Sequence, residues 1–211
     1  MPRLLQINAA EYQKLQQDDE CFYIGEYTSG GGFRASETNQ NIYNLRKEPS
    51  SAPNLLRYKE SAIRVWGKKL ADHLALKEVA KVVTFVPAPC SKPLGHPEYD
   101  DRVLRVVLEL NRYQQGLDIR PVLVTTTERR AQHKGDRLSV DELRQSMTVD
   151  PEYLRTPLRQ TVVVVDDVFT QGGTFKAMKS LLMTLPKAER VVGIFLARTI
   201  WPALDPEQPD F

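Results

Sequence analysis

Asp166 and Asp167 stand side by side at the end of the apolar run Val162-Val163-Val164-Val165, and Thr170-Gln171-Gly172-Gly173-Thr174 follows two residues later. An ionised carboxylate only accepts hydrogen bonds, so an adjacent pair suits sugar hydroxyls or the water shell of Mg2+. The small polar turn suits the opposite partner. It precedes a helical pattern, where unpaired backbone N–H groups and the positive end of the helix dipole favour an anion. Its two glycines let the backbone approach that anion closely, and Thr170 and Thr174 can add hydroxyl donors. A plain capped turn would explain each residue taken singly. Two neighbouring carboxylates repel, however, and a cap needs only one. The stretch therefore reads as an anion site beside a polyol or metal site, the chemistry of a phosphorylated sugar.

Elements on both sides must position these groups. Phe22 to Tyr27 reads as a strand, Ser29-Gly30-Gly31-Gly32 as a turn, and Asn41 to Leu45 as a second extended piece. Leu4 to Leu15 fits a small strand or a helix. Glu48 to Pro53 is a loop and the best internal boundary, dividing a 1–52 segment from a 53–211 core. Ile63, Trp66, Leu70 and Leu74 recur on one helical face, as do Val103, Val106, Val107, Leu110 and Tyr113, with Asp100 or Asp101 as the cap. Strands are expected at Val82–Val86, Ile119–Val124, Thr161–Val165 and Val191–Leu196. Short helical patterns lie at 138–144 and from Phe175 to Leu185, the latter closed by Pro186. Strands alternating with helices predict an α/β fold with a mostly parallel central sheet flanked by helices. Ligands of such sheets sit beyond the carboxyl ends of the strands.

Composition excludes more than it selects. Lys and Arg number 29 against 27 Asp and Glu, so the net charge of +2 offers no general argument for nucleic acid. The apolar runs are strand-length, with no membrane span and no signal-peptide core at the N-terminus. Only Cys21 and Cys90 occur. With no CxxC pair and no histidine cluster, a zinc site is not expected, and a reducing cytoplasm is the default compartment.

At Val162–Val165, Asp166-Asp167, Val168-Phe169 and Thr170–Thr174 the chain resembles the type I phosphoribosyltransferases. Their signature is an apolar strand, two acids, two mostly apolar positions and a small-residue loop ending in Gly-x-Thr. The resemblance covers roughly residues 55–200, is sharp at 161–174, and is closest to the ComF-like branch. It lacks that branch's Cys-rich zinc finger, and Pro97–Arg102 replaces its Arg-Gly-Phe-Asn-Gln piece. Gln171 stands where the family usually has Thr, Ser or Ala.

The resemblance implies a Mg2+-dependent transfer of the phosphoribosyl group from phosphoribosyl pyrophosphate (PRPP) to a nitrogen acceptor, with release of pyrophosphate. Thr170, Gln171, Gly172, Gly173 and Thr174 would hold the 5′-phosphate, and Asp166 and Asp167 the ribose hydroxyls and Mg2+. Ser91 and Lys92, after the strand ending at Val86, would grip pyrophosphate. A cationic loop holding Arg129, Arg130, His133 and Lys134 would close over it, with Arg130 and Lys134 joining Asp166 and Asp167 as the catalytic choices. For Lys92 and the loop cations, an ordinary solvated charge is the competing reading. The 1–52 segment would form the hood over the acceptor, with Tyr23, Tyr27, Phe33, Asn39 and Asn41 as lining and Trp201 as a stacking partner. The same fold could also serve as a non-catalytic PRPP- or nucleotide-binding regulatory module. A homodimer is common for the fold, although no interface is legible in the sequence.

Overall fold

Apolar runs without alternation need cover on both faces, and the chain supplies it with helices on each side. A computed structural model describes residues 2–128 and 138–202. In chain order it has β1 (Leu5–Gln6), β2 (Glu20–Thr28), α1 (Glu37–Leu45), α2 (Pro53–Asp72), α3 (Leu76–Val79), β3 (Val83–Pro87) and α4 (Arg102–Leu108). Then come β4 (Asp118–Ile119), β5 (Leu123–Thr125), α5 (Val140–Gln145), β6 (Met147–Val149), β7 (Thr161–Phe169), α6 (Gly173–Leu182) and β8 (Arg190–Ile200).

Six strands form one sheet in the order β1-β2-β8-β7-β3-β4. Every neighbouring pair is parallel except β1 with β2. The chain is thus α/β with a mostly parallel sheet, as its alternating pattern predicts. β5 and β6 form a separate antiparallel pair. Two cores result. One joins Val163, Val165 and Ile194 to Trp66, Leu70 and Val106, under α1, α2 and α4. The other joins Val162, Val164 and Phe195 to Phe175, Met178 and Leu143, under α5 and α6.

Several elements differ from expectation for definable reasons. Asn41–Leu45 is helical rather than extended. Ser36 caps α1 by accepting from the Asn39 N–H at 3.0 Å, and Ile42 and Leu45 are buried one turn apart. The single strand expected at Ile119–Val124 is divided at Pro121, which cannot donate to a ladder, so β4 joins the main sheet and β5 does not. The helix from Arg102 tightens into a 3-10 turn at Glu109–Arg112. Asp100 rather than Asp101 serves its start, accepting from the Arg102 N–H at 3.1 Å. Leu4–Leu15 holds the short β1 and a 3-10 turn at Ala9–Glu11.

The 1–52 segment contributes a full strand to the main sheet, because β2 pairs with β8 along its length. It also clamps α6. The Asp19 carboxylate is buried and accepts from Lys176 at 2.7 Å, Lys179 at 2.6 Å and the Gln16 N–H at 2.7 Å. These contacts seat residues 14–19 against the start of α6. Because β2, β8, β7 and β3 run parallel, the segments leaving their carboxyl ends share one rim.

Candidate functional site

β7 delivers the acidic pair to that rim and continues to Phe169, four residues beyond the run that signalled it. The turn into α6 then places Gly172 at the N-cap with φ +80°, a left-handed conformation costly for residues with a Cβ. A Cβ there would also lie 2.6 Å from Leu15 Cδ2. One on Gly173 would lie 3.2 Å from Lys14 Nζ, so that ammonium stands beside the glycine turn. Lys14, Asp166 and Thr170–Thr174 line a small cavity of about 40 Å³ at the N-terminus of α6. It has room for a group of a few atoms, and its walls provide backbone N–H donors, hydroxyls and one ammonium. That is a setting for a phosphate-sized anion. Lys14 Nζ donates to the Leu138 carbonyl at 3.1 Å, which aims it inward from a residue the sequence pattern does not mark.

The two carboxylates are brought to one rim and then separated. Side chains alternate along a strand, so Asp166 follows Val162 and Val164 and Asp167 follows Val163 and Val165. Asp166 lines the cavity, and its Oδ1 accepts from the Asp167 N–H at 2.7 Å. Burial and the adjacent Asp167 charge push its carboxyl up to about 6. Asp167 is buried on the opposite face. Arg46 binds it through Nε to Oδ2 at 2.9 Å and Nη2 to Oδ1 at 2.8 Å. Arg102 adds Nε and Nη2 on Oδ2, at 3.0 and 2.9 Å, and the Val168 N–H reaches Oδ1 at 2.7 Å. Against the cost of burial, these two guanidiniums hold the Asp167 carboxyl well below the usual carboxylate range.

The arginines belong to a longer chain of charge. Arg102 Nη1 donates to Asp100 Oδ2 at 2.9 Å, and the buried Lys59 ammonium lies 2.7 Å from Asp100 Oδ1 and from the Lys47 carbonyl. Neither arginine falls in a recognisable motif. Arg46 follows α1 and Arg102 opens α4, 121 and 65 residues from Asp167 in sequence, so only the fold joins them.

This donor set tests the implied Mg2+. The ion usually keeps several waters and takes one or two carboxylates together with substrate phosphates. Asp166 fits that role. Asp167, expected beside it on the sugar or the metal, has its acceptor positions occupied by guanidinium and backbone donors.

The remaining expected residues distribute unevenly. Ser91 is exposed and Lys92 half-buried, on the segment leaving β3, the strand beside β7. Lys92 is ion-paired with Glu128 rather than simply solvated. Arg129, Arg130, His133 and Lys134 lie outside the described residues. Asn39 is wholly buried and serves the turn after β2, bonding Thr28 N–H, Thr28 carbonyl and Gly32 carbonyl. Tyr23 is buried under Arg198, with the guanidinium 4.8 Å from the ring centroid. Tyr27, Tyr43 and Phe33 form an aromatic group with successive centroids 6.3 Å apart, while Asn41 is half-buried and Trp201 is exposed. Among the described residues no group of three or more His, Cys, Asp and Glu side chains could hold a metal by itself, and no helix is long and apolar enough to cross a membrane. No protein-family model matches the chain, and no curated protein matches it.

Proposed function

We propose that the chain is a phosphoribosyltransferase of the type I fold, with the glycine turn before α6 as its 5′-phosphate cradle. The observation that carries this reading is the cavity at Thr170–Thr174, where a left-handed Gly172, a helix N-terminus and Lys14 converge beside Asp166. The phosphate of PRPP sits against these donors. Its ribose lies over the end of β7, where Asp166 accepts from sugar hydroxyls. Asp166, which lines the cavity, would be the carboxylate of this pair to hold Mg2+, and the ion bound with pyrophosphate would offset part of the leaving group's charge.

In the reaction the C1–O bond to pyrophosphate breaks, and its electron pair leaves with pyrophosphate. A bond forms from the acceptor nitrogen to C1, and that nitrogen gives up its proton to solvent or to the departing pyrophosphate. The chain's contribution is positioning and electrostatic stabilisation. The Tyr27–Phe33–Tyr43 group shares the rim and offers ring faces to a planar acceptor. Gln171, half-buried in the cavity wall, favours a second reading, a PRPP-binding module without turnover, because its long amide competes for the cradle.

Pyrophosphate release from PRPP and Mg2+, screened across nucleobases and small amines, tests turnover. Calorimetry tests the site. Gly172→Val should abolish PRPP binding, since the substituted residue strains the turn and strikes Leu15. Unchanged affinity in this variant would remove the cradle from the assignment.

A further inference from the structure

We propose that Arg46 and Arg102, braced by Asp167, form a two-arginine clamp for the pyrophosphate end of the substrate; this rests on the cradle being a PRPP site. Charge balance is the first argument. The linked groups Lys59, Asp100, Arg102, Asp167 and Arg46 comprise three cations and two carboxylates, leaving one positive charge in excess. Asp166 is a nearby carboxylate that could offset it. That group lines the cavity on the other face of β7, however, where sugar hydroxyls or a metal would compete for it. A partly buried cation in excess favours an anion in contact with it.

Geometry is the second argument. A guanidinium has five N–H donors in a planar fork matched to phosphate oxygens. Arg46 directs Nε and Nη2 to Asp167, while its side chain remains 41% exposed. Donors therefore remain for a second anion. Arg102 is 25% exposed and opens the helix that follows the β3 exit segment. That segment is fixed to β7 itself, because the Ala88 N–H donates to the Val165 carbonyl at 2.8 Å. The clamp thus flanks β7 between the β3 exit and the cradle turn. PRPP carries its two anionic groups at opposite ends of one ribose. Cradle and clamp lie on opposite sides of the Asp166–Asp167 step, with the sugar between them.

Asp167 acts here as a positioning residue. It holds both forks in place before substrate arrives, so little reorganisation is needed as charge develops on the leaving group. The same arrangement explains why Lys92 can be committed to Glu128, since the chain has a second cation source on this rim.

Calorimetry on the full chain with Mg2+ and three probes, PRPP, ribose 5-phosphate and inorganic pyrophosphate, tests the clamp. Arg46→Gln should weaken PRPP and pyrophosphate about tenfold or more, as expected for a lost charge-assisted contact, and leave ribose 5-phosphate within about twofold. Arg102→Gln should act in the same direction. If burial of its partners prevents that variant from folding, the half-exposed Arg46 carries the test. Lys14→Met should give the contrasting signature, weakening PRPP and ribose 5-phosphate alike. Equal losses for PRPP and ribose 5-phosphate in Arg46→Gln, or no loss for either, would overturn the clamp while leaving the cradle standing. If the unmodified chain binds neither sugar phosphate, the cradle falls first and the clamp with it.

Discussion

Two adjacent aspartates with the same formula have opposite electrostatic fates here. Asp167 is surrounded by donors, so the folded chain favours its ionised form and gains stability from it above the ordinary carboxylate range. Asp166 carries the reverse penalty. Its folded-state value near 6 lies above the ordinary 3.8, so between those limits the folded chain binds more protons than the unfolded chain. Its contribution to stability is therefore greatest below about pH 4 and declines as pH rises through about 6. Asp166→Asn should raise stability at pH 7.5 by about 1–3 kcal/mol, flatten the pH dependence of Tm between pH 4 and 6, and weaken PRPP binding. Thermal melts across that range check it, and a lower Tm in the variant at pH 7.5 would contradict the assignment. The sequence marks this pair plainly but gives both members one role. What separates them is the period of the strand, which was legible once β7 is carried past Val165. Arg46 and Arg102 were not legible, since no local spacing links a residue to a partner 121 or 65 positions away.

At the scale of elements, the strongest sequence signals were the uninterrupted valine run and the three- and four-residue steps of Ile63, Trp66 and Leu70 along α2. Both depend on burial repeated over several residues, which a single sequence displays directly. α1 escaped because only Asn39, Ile42 and Leu45 of its nine residues are buried, and the first of these is polar. Asn39 is the reason the preceding glycine turn is ordered, since its side chain satisfies both polar groups of Thr28 and the Gly32 carbonyl. Asn39→Ala would leave the Thr28 N–H without this partner, and the Thr28 and Gly32 carbonyls with only the longer bonds from the Gly31 and Ala35 N–H groups at 3.3 and 3.4 Å, and should cost roughly 1–3 kcal/mol. Chemical denaturation would measure this, and α1, together with Arg46 at its end, should loosen with it. A loss below about 0.5 kcal/mol would mean that the turn finds other partners.

For the whole molecule, the expected division at residue 52 does not separate two units of sheet. β2 and the 14–19 turn belong to the main body, one by pairing with β8 and the other by ion pairs to α6. Burial opposes ionisation of Asp19, yet the Gln16 N–H and the Lys176 and Lys179 ammoniums hold its carboxyl below 3.8. Its stabilisation is thus complete above about pH 4 and is lost as pH falls below that. Asp19→Ala should lower stability by roughly 2–4 kcal/mol at neutral pH, a buried-pair loss reduced by the partial exposure of the lysines. It should also weaken anion binding, because Lys14 and Leu15 lose their seat. Urea denaturation and phosphate titration of one preparation check both effects.

The pairing of β2 with β8 also has a consequence for biosynthesis. Glu20 meets Val192 in the sheet, 172 residues further along the chain. At translation rates of about 5–20 residues per second, β2 leaves the ribosome roughly 9–34 s before its parallel neighbour exists. During that interval Cys21, Tyr23 and the backbone edge that β8 will cover can pack only against elements already made, β1 and α1 among them. That edge of β2 accordingly waits through most of synthesis for its neighbour, and β8, the last of the described strands to be made, closes it.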